Sequence, residues 1–395
     1  MAKKKKKPTT NKKPAAQTSV LANQPTWFTS KPLHAAFLFL FCFVIYGNTI
    51  QHDYTQDDAI VIYDNEYTTQ GIAGIPGILK YDTFRGFFKV EGKDKLVSGG
   101  RYRPLTLVMF AIGVELFGEN PTIGHVMNIF WYGLTCVLLY LLLLRMLGKR
   151  KTNYAYFVAF LTALLFAAHP LHTEAVANIK GRDEIIALLG ALAAAYFCLR
   201  SYQEKKPALN ILAAVIFFIT LFSKENAITF LGVIPLIFFF FTKASIKEIV
   251  IQIAPLLVGA IAFIAIRYSI IGGGIGDPPI ELMNNPFVKI EGSQYVHFSA
   301  SERLGTIFYT LFKYIQLLIF PHPLTHDYYP RHIGILNMTS PAALGSLFLH
   351  LGLLVYAGIR FFKKDIISFG ILFYLGTLLI AVSYTHLTLP TICSV

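Results

Sequence analysis

Charge is scarce in this 395-residue chain: Asp, Glu, Lys and Arg make up 14% of it, against about a quarter in ordinary soluble domains. Together with a hydrophobic share of 54% and a mean hydropathy of +0.54, this excludes a disordered chain and argues against a soluble enzyme. Cysteine is also rare. Cys42, Cys136, Cys198 and Cys393 stand singly, three of them inside apolar runs, so neither a disulfide framework nor a zinc ribbon is indicated. A phosphate-binding loop, a dinucleotide fingerprint and a soluble nucleotide-binding domain are all missing, so an activated substrate is expected to arrive through the membrane. What the chain has in abundance is long apolar blocks: Leu33–Ile50, Val126–Leu147, Leu209–Phe222, Ile228–Phe241 and Ile249–Ile266 hold almost no charge. Several approach the roughly 20 residues that cross a bilayer.

The expected class is an all-α polytopic membrane protein. Nine spans are expected, at about 33–50, 123–147, 154–170, 184–201, 208–223, 226–242, 249–266, 342–360 and 366–382. A net charge of +13 could point to nucleic acid, but the basic residues are sided. With the Lys-rich N-terminus in the cytoplasm, residues 1–32 and the loops near 145–151, 200–206, 243–248 and 360–365 hold 20 Lys and Arg against Glu204, Glu248 and Asp365. The opposite side holds 15 basic and 19 acidic residues, the asymmetry that orients multi-span proteins. The tail 1–32 therefore reads as a disordered cytoplasmic anchor for anionic lipid, with no nucleic-acid partner. The expected extracytoplasmic loops are 51–122, 169–183 and 271–341. Arg103–Phe117 and Leu304–Phe320 are apolar yet would invert the charge asymmetry if they crossed, so each is expected to lie on the surface or to re-enter. Ser383–Val395 abandons the span pattern and resembles translated adaptor sequence, a non-native tail in place of a further C-terminal region.

Four polar clusters flank spans on the extracytoplasmic side: Gln56-Asp57-Asp58, Arg101-Tyr102-Arg103-Pro104, His169–Asp183 with Glu184, and Ser223-Lys224-Glu225. Carboxylates beside Arg and Lys at a lipid boundary suit a reaction in which a lipid-linked phosphate departs and a hydroxyl loses its proton. Each cluster also has a plain reading. The Asp pair can be a solvated loop, Lys224-Glu225 a local ion pair and Arg103 an interfacial anchor. His169, His172 and Glu174 have a spacing compatible with a metal, but equally with helix caps.

Taken in order, QDDAIVIYDN (56–65), YRPLTLVMF (102–110), GHVMNI (124–129), LLFAAHPLHTEAVANIKGRDEIIA (164–187), LFSKENAITFLGVIPL (221–236) and YIQLLIFPHPLTHDYYP (314–330) resemble the membrane half of the transmembrane and tetratricopeptide-repeat-containing (TMTC) O-mannosyltransferase family. More distantly, the layout is similar to the GT-C glycosyltransferase fold. The resemblance implies an inverting transfer of a sugar, mannose or a similar hexose, from a polyprenyl-phosphate carrier to an acceptor hydroxyl, of protein Ser or Thr, without a cofactor or metal. It implies Asp57 as general base with Asp58 as its acidic neighbour, and Arg103, Lys224 and Arg182 as contacts of the donor phosphate. His169, His172, Glu174, Asp183 and Glu225 are implied only as pocket residues. The active site is expected on the extracytoplasmic face of a bacterial inner membrane or its ER equivalent. The competing class is a transporter or flippase of lipid-linked sugar; it would put charges at mid-membrane and show internal repeats, neither of which is evident.

Overall fold

A computed structural model describes residues 29–90, 101–148, 153–272, 285, 287–325 and 332–383. The expected tail over residues 1–28 and the segment 384–395 lie outside the described residues. Helix α1 (Lys31–Tyr46) is followed by four short helices, α2 (Asp58–Val61), α3 (Glu66–Thr69), α4 (Ile75–Lys80) and α5 (Arg85–Phe88), which fill the first long loop. Then come α6 (Pro104–Phe117), α7 (Pro121–Leu147), α8 (Asn153–Ala168), α9 (Thr173–Ala177), α10 (Arg182–Glu204), α11 (Pro207–Leu221), α12 (Phe230–Phe241) and α13 (Ile246–Ile271). A two-stranded antiparallel hairpin, Val288–Glu291 with Gln294–His297, precedes α14 (Ala300–Ile319), α15 (Pro341–Phe361) and α16 (Ile366–Ser383).

Local chemistry sets the boundaries. Proline opens α6, α7, α11 and α15, where its missing N–H costs nothing. Asn120 caps α7 by accepting from the Ile123 amide, and α13 begins with a reciprocal Ser245/Glu248 capping box. Gly118, at φ 69°, ends α6 in a conformation that a side chain would strain.

Helices 10, 11, 7, 12 and 13 share the largest core, and α10 lies at its centre. Its inward face is small: Ala187, Ala191, Ala194, Ala195 and Cys198 are all buried. Gly190 is pressed against Thr220 of α11, so close that a Cβ has no room. Small residues are what permit close approach where lipid supplies no hydrophobic drive between helices. Helices α13 and α15 instead show apolar side chains outward, among them Val258 at 66%, Ile261 at 58% and Phe348 at 67% exposure. Such surfaces belong against hydrocarbon.

Among the described residues, five helical stretches are long and apolar enough to cross a membrane: 31–51, 121–147, 179–204, 246–271 and 341–361. Counting the pair 154–168 and 170–177, bent by 50°, makes six. The chain is thus an all-α membrane protein of multi-pass type, but two of the nine expected spans form short helices among the described residues. The region expected at 208–223 forms a 15-residue helix, about 22 Å long at 1.5 Å per residue, below the roughly 30 Å of a hydrocarbon core. The region expected at 226–242 forms the 12-residue α12, and that expected at 366–382 forms the 18-residue α16. Within the expected loop 271–341 the chain also forms the hairpin at 288–297; Val288 is its buried anchor, while the second strand is exposed at every position.

Candidate active site

The site is assembled where α6 and α10 begin, under the first long loop. Gln56 adopts φ 46°, a left-handed turn. It is followed by Asp57 and Asp58, which do different things. Asp58 is wholly buried; its Oδ2 accepts from the Thr55 amide at 2.9 Å and its Oδ1 from the Lys180 amide at 2.7 Å. This carboxylate clamps the first loop onto the segment leading into α10. Burial pushes its pKa up to about 6, against the opposing pull of the two amides. Asp57 keeps its carboxylate half-exposed, with Lys180 Nζ at 3.7 Å from Oδ2.

The extended segment 101–103 brings a pair of arginines. Arg101 is pinned through its backbone, its N–H on Asp82 and its carbonyl accepting from the Thr83 amide at 2.7 Å. Tyr102 is buried between them and donates to Leu79 O at 2.7 Å. Arg103 donates from Nε and Nη2 to the two oxygens of Glu225, at 3.1 and 3.2 Å, and from Nη1 to Asp183 Oδ2 at 3.0 Å. A forked guanidinium suits this task because two parallel donors match one carboxylate. Burial by itself lowers the Arg103 pKa, but Glu225 and Asp183 more than offset it and hold the group above its ordinary value. The same corner is tied by Thr106 to Ser223 at 3.0 Å and by Ser223 Oγ donating to Asp183 O at 2.9 Å.

Asp57, Arg101, Arg103, Lys180 and Asp183 line one cavity of about 30 Å³, walled on its apolar side by Phe84, Leu107 and Phe110. Asp183 Oδ1 is buried and has no hydrogen-bond partner among the described residues, leaving an acceptor beside the cavity. Phe110 also borders a second, larger cavity of about 120 Å³, mostly apolar and lying between α6 and α7.

Of the expected site residues, the structure brings together Asp57, Arg103, Asp183 and Glu225, with Asp58 directly behind Asp57. Others stand apart. Lys224 is buried in contact with Glu184 and does not line the cavity. Arg182 faces the second cavity, donating to Asn128 Oδ1 at 2.8 Å and Gly124 O at 3.0 Å, with its guanidinium 4.5 Å from the Phe110 ring. His172 bonds the Tyr132 hydroxyl and Phe166 O, both at 2.9 Å. His169 reaches Leu318 O at 3.0 Å, and Glu174 accepts from Asn178 Nδ2 at 3.2 Å. These three brace loops rather than converge, and no group of three His, Cys, Asp or Glu that could hold a metal occurs among the described residues. Two further cations, Arg101 and Lys180, line the cavity beside the expected residues. Arg101 was legible in principle: residues i and i+2 of an extended segment share a side, so Arg101 accompanies Arg103 while Tyr102 turns away.

A partly buried Arg–carboxylate constellation at one end of an apolar helical bundle defines a multi-pass membrane protein with an ionic site beside lipid-facing helices. Residues 103–270, which contain most of that constellation, match the family model described as dolichyl-phosphate-mannose-protein mannosyltransferase. Over part of its length the chain is similar to protein O-mannosyl-transferases of the TMTC type. It is 34% identical over 144 residues to the human protein O-mannosyl-transferase TMTC1, covering 36% of this chain and 15% of that protein. It is 28% identical over 230 residues to the Caenorhabditis elegans protein O-mannosyl-transferase F38B6.6, covering 58% and 30%. The Drosophila melanogaster protein O-mannosyl-transferase Tmtc1 shares 30% over 187 residues, covering 47% and 20%. The matches span less than a third of the length of these relatives. No solved structure matches the chain.

Proposed function

We propose that the chain carries the membrane-embedded centre of a GT-C-type glycosyltransferase, moving a mannose-like sugar from a polyprenyl-phosphate carrier to an acceptor hydroxyl, with protein Ser or Thr as acceptor. The acceptor oxygen attacks the anomeric carbon, the bond to the phosphate oxygen breaks with its electron pair, and the acceptor proton passes to Asp57. Inversion at that carbon follows from a single displacement. The observation that carries this reading is the cavity in which Asp57 faces Arg101, Arg103 and Lys180. A carboxylate with only a distant ammonium partner has an oxygen available for a proton, and the cations oppose charge growing on the leaving phosphate. Asp183 Oδ1 offers a second acceptor for a sugar or substrate hydroxyl. The positive-inside asymmetry supports an extracytoplasmic site, because the cavity lies at the end of α10 opposite Arg145, Arg200 and Lys206.

The test is an assay of the full chain in liposomes containing polyprenyl-phosphate mannose, with a Ser/Thr peptide as acceptor. Mannosyl peptide and free polyprenyl phosphate are expected in equal amounts, and Asp57→Asn is expected to lower turnover at least about 100-fold. Wild-type protein that forms no product overturns the transferase reading; full turnover by Asp57→Asn removes Asp57 as the base.

A further inference from the structure

We infer that Arg101, rather than Arg103, is the guanidinium that grips the donor phosphate, and that Arg103 is the tether that builds the cavity around it. This inference rests on the transferase reading. The cations near the cavity differ in how much charge each has left to offer.

Arg103 has little. Three of its N–H groups already serve Glu225 and Asp183, so one positive charge sits between two carboxylates. An anionic phosphate approaching that guanidinium would have to displace partners or face two like charges. Lys180 has Asp57 at 3.7 Å, and Lys224 is in contact with Glu184 outside the cavity. Among the described residues Arg182 makes no direct ion pair, but it is held by Asn128, the Gly124 carbonyl and the Phe110 ring, on the side of the second cavity.

Arg101 is different. Among the described residues it makes no ion pair; its guanidinium lies 5.3 Å from the Phe84 ring and lines the cavity. Its backbone is held on both sides by Asp82 and Thr83, so the side chain issues from a fixed point. Asp57 and Asp183 share the cavity with Arg101 but make no direct ion pair with it, and a phosphate between Arg101 and Asp57's neighbour Lys180 would supply a contacting negative charge. Arginine stays protonated in such a place and can present two parallel donors to two phosphate oxygens. The division of labour is thus one arginine spent on architecture and one left for substrate.

The experiment measures binding of polyprenyl phosphate, and of uncharged polyprenol as control, to the full chain in lipid nanodiscs, with thermal unfolding followed in parallel. Arg101→Gln is expected to weaken polyprenyl phosphate binding about tenfold or more, to leave polyprenol binding unchanged and to unfold at the wild-type temperature, because no carboxylate loses a partner. Arg101→Lys should keep part of the affinity, retaining charge but not the fork. Arg103→Gln should lower the unfolding temperature. Wild-type affinity for polyprenyl phosphate in both Arg101 variants overturns the inference while leaving the transferase reading intact. Wild-type protein that binds polyprenyl phosphate no better than polyprenol would sink the transferase reading itself.

Discussion

The two ends of α10 carry ion-pair networks of opposite composition. At its start, one cation, Arg103, lies between two carboxylates, with side-chain exposures of 13% for Arg103, 5% for Asp183 and 36% for Glu225. At its other end, one carboxylate, Glu204, collects three cations: Arg145 at 2.9 Å, Arg200 at 2.9 Å and Lys206 at 3.5 Å. The ends are about 33 Å apart at 1.5 Å per residue, the depth of a bilayer. The difference teaches what each charge is for. An excess of partly exposed cations around one acid suits a helix bundle end facing an anionic leaflet, where its pairs are screened by water and salt. A buried cation between acids has no such screening, and it fixes three separate chain segments in one geometry.

The contrast is broken most severely by removing a partner at each end. Asp57→Asn, beside the buried network, should abolish transfer without unfolding the protein, as an assay of mannosyl product beside a melting curve would show. Arg103→Gln should destabilise the fold by about 3 kcal/mol, because it strands Asp183 and Glu225 in a site where breaking a buried pair is expensive. The matching change Arg145→Gln should leave the unfolding midpoint unaltered. Equal losses from the two, measured by thermal unfolding in one detergent, would erase the distinction drawn between the ends. Gly190→Ala, midway along α10, should cost about 1–3 kcal/mol by forcing α10 from Thr220 of α11, with the helix content unchanged in circular dichroism.

A smaller effect is expected at Asp58. Its folded pKa of about 6 lies above the ordinary 3.8, so the folded protein binds this proton more tightly than the unfolded chain. Stability from this group is therefore fully present below about pH 4 and declines as pH rises toward 6. Asp58→Asn should flatten that slope, and should cost about 1 kcal/mol at low pH because an amide nitrogen replaces one of the two acceptors that meet the Thr55 and Lys180 amides. Chemical unfolding across pH 4 to 7 reads both; an unchanged slope would show that another group sets it.

Much of the helical architecture was legible because apolar runs and their caps are local. Val126–Leu147 announces α7, and Ser245 with Glu248 announces the start of α13. The short helices were harder to read. Leu209–Phe222 and Ile228–Phe241 look like complete spans in composition, but the break at Ser223-Lys224 and the tight 3₁₀ turn at Glu225–Thr229 shorten both. The clusters of the candidate site were visible as separate motifs, whereas their pairing was not. Arg103 and Glu225 are 122 positions apart, and nothing in either motif says that Glu225 faces Arg103 while Lys224, its neighbour, faces Glu184. Asp57 and Asp58 look equivalent in sequence; only the Lys180 amide, which Asp58 accepts, separates a clamp from a cavity carboxylate. Asn128 was hidden inside GHVMNI, although its amide meets the carbonyls of Val176, Asn178 and Ile179 and its oxygen holds Arg182.

The most direct measurement is sugar transfer from polyprenyl-phosphate mannose by two charge-neutralised proteins side by side, Asp57→Asn at one end of the bundle and Glu204→Gln at the other, each shown to be folded. Loss of turnover in the first with wild-type turnover in the second is the expected result. Wild-type turnover in Asp57→Asn, or an equal loss in both, would contradict the placement of the chemistry at the Arg103 end.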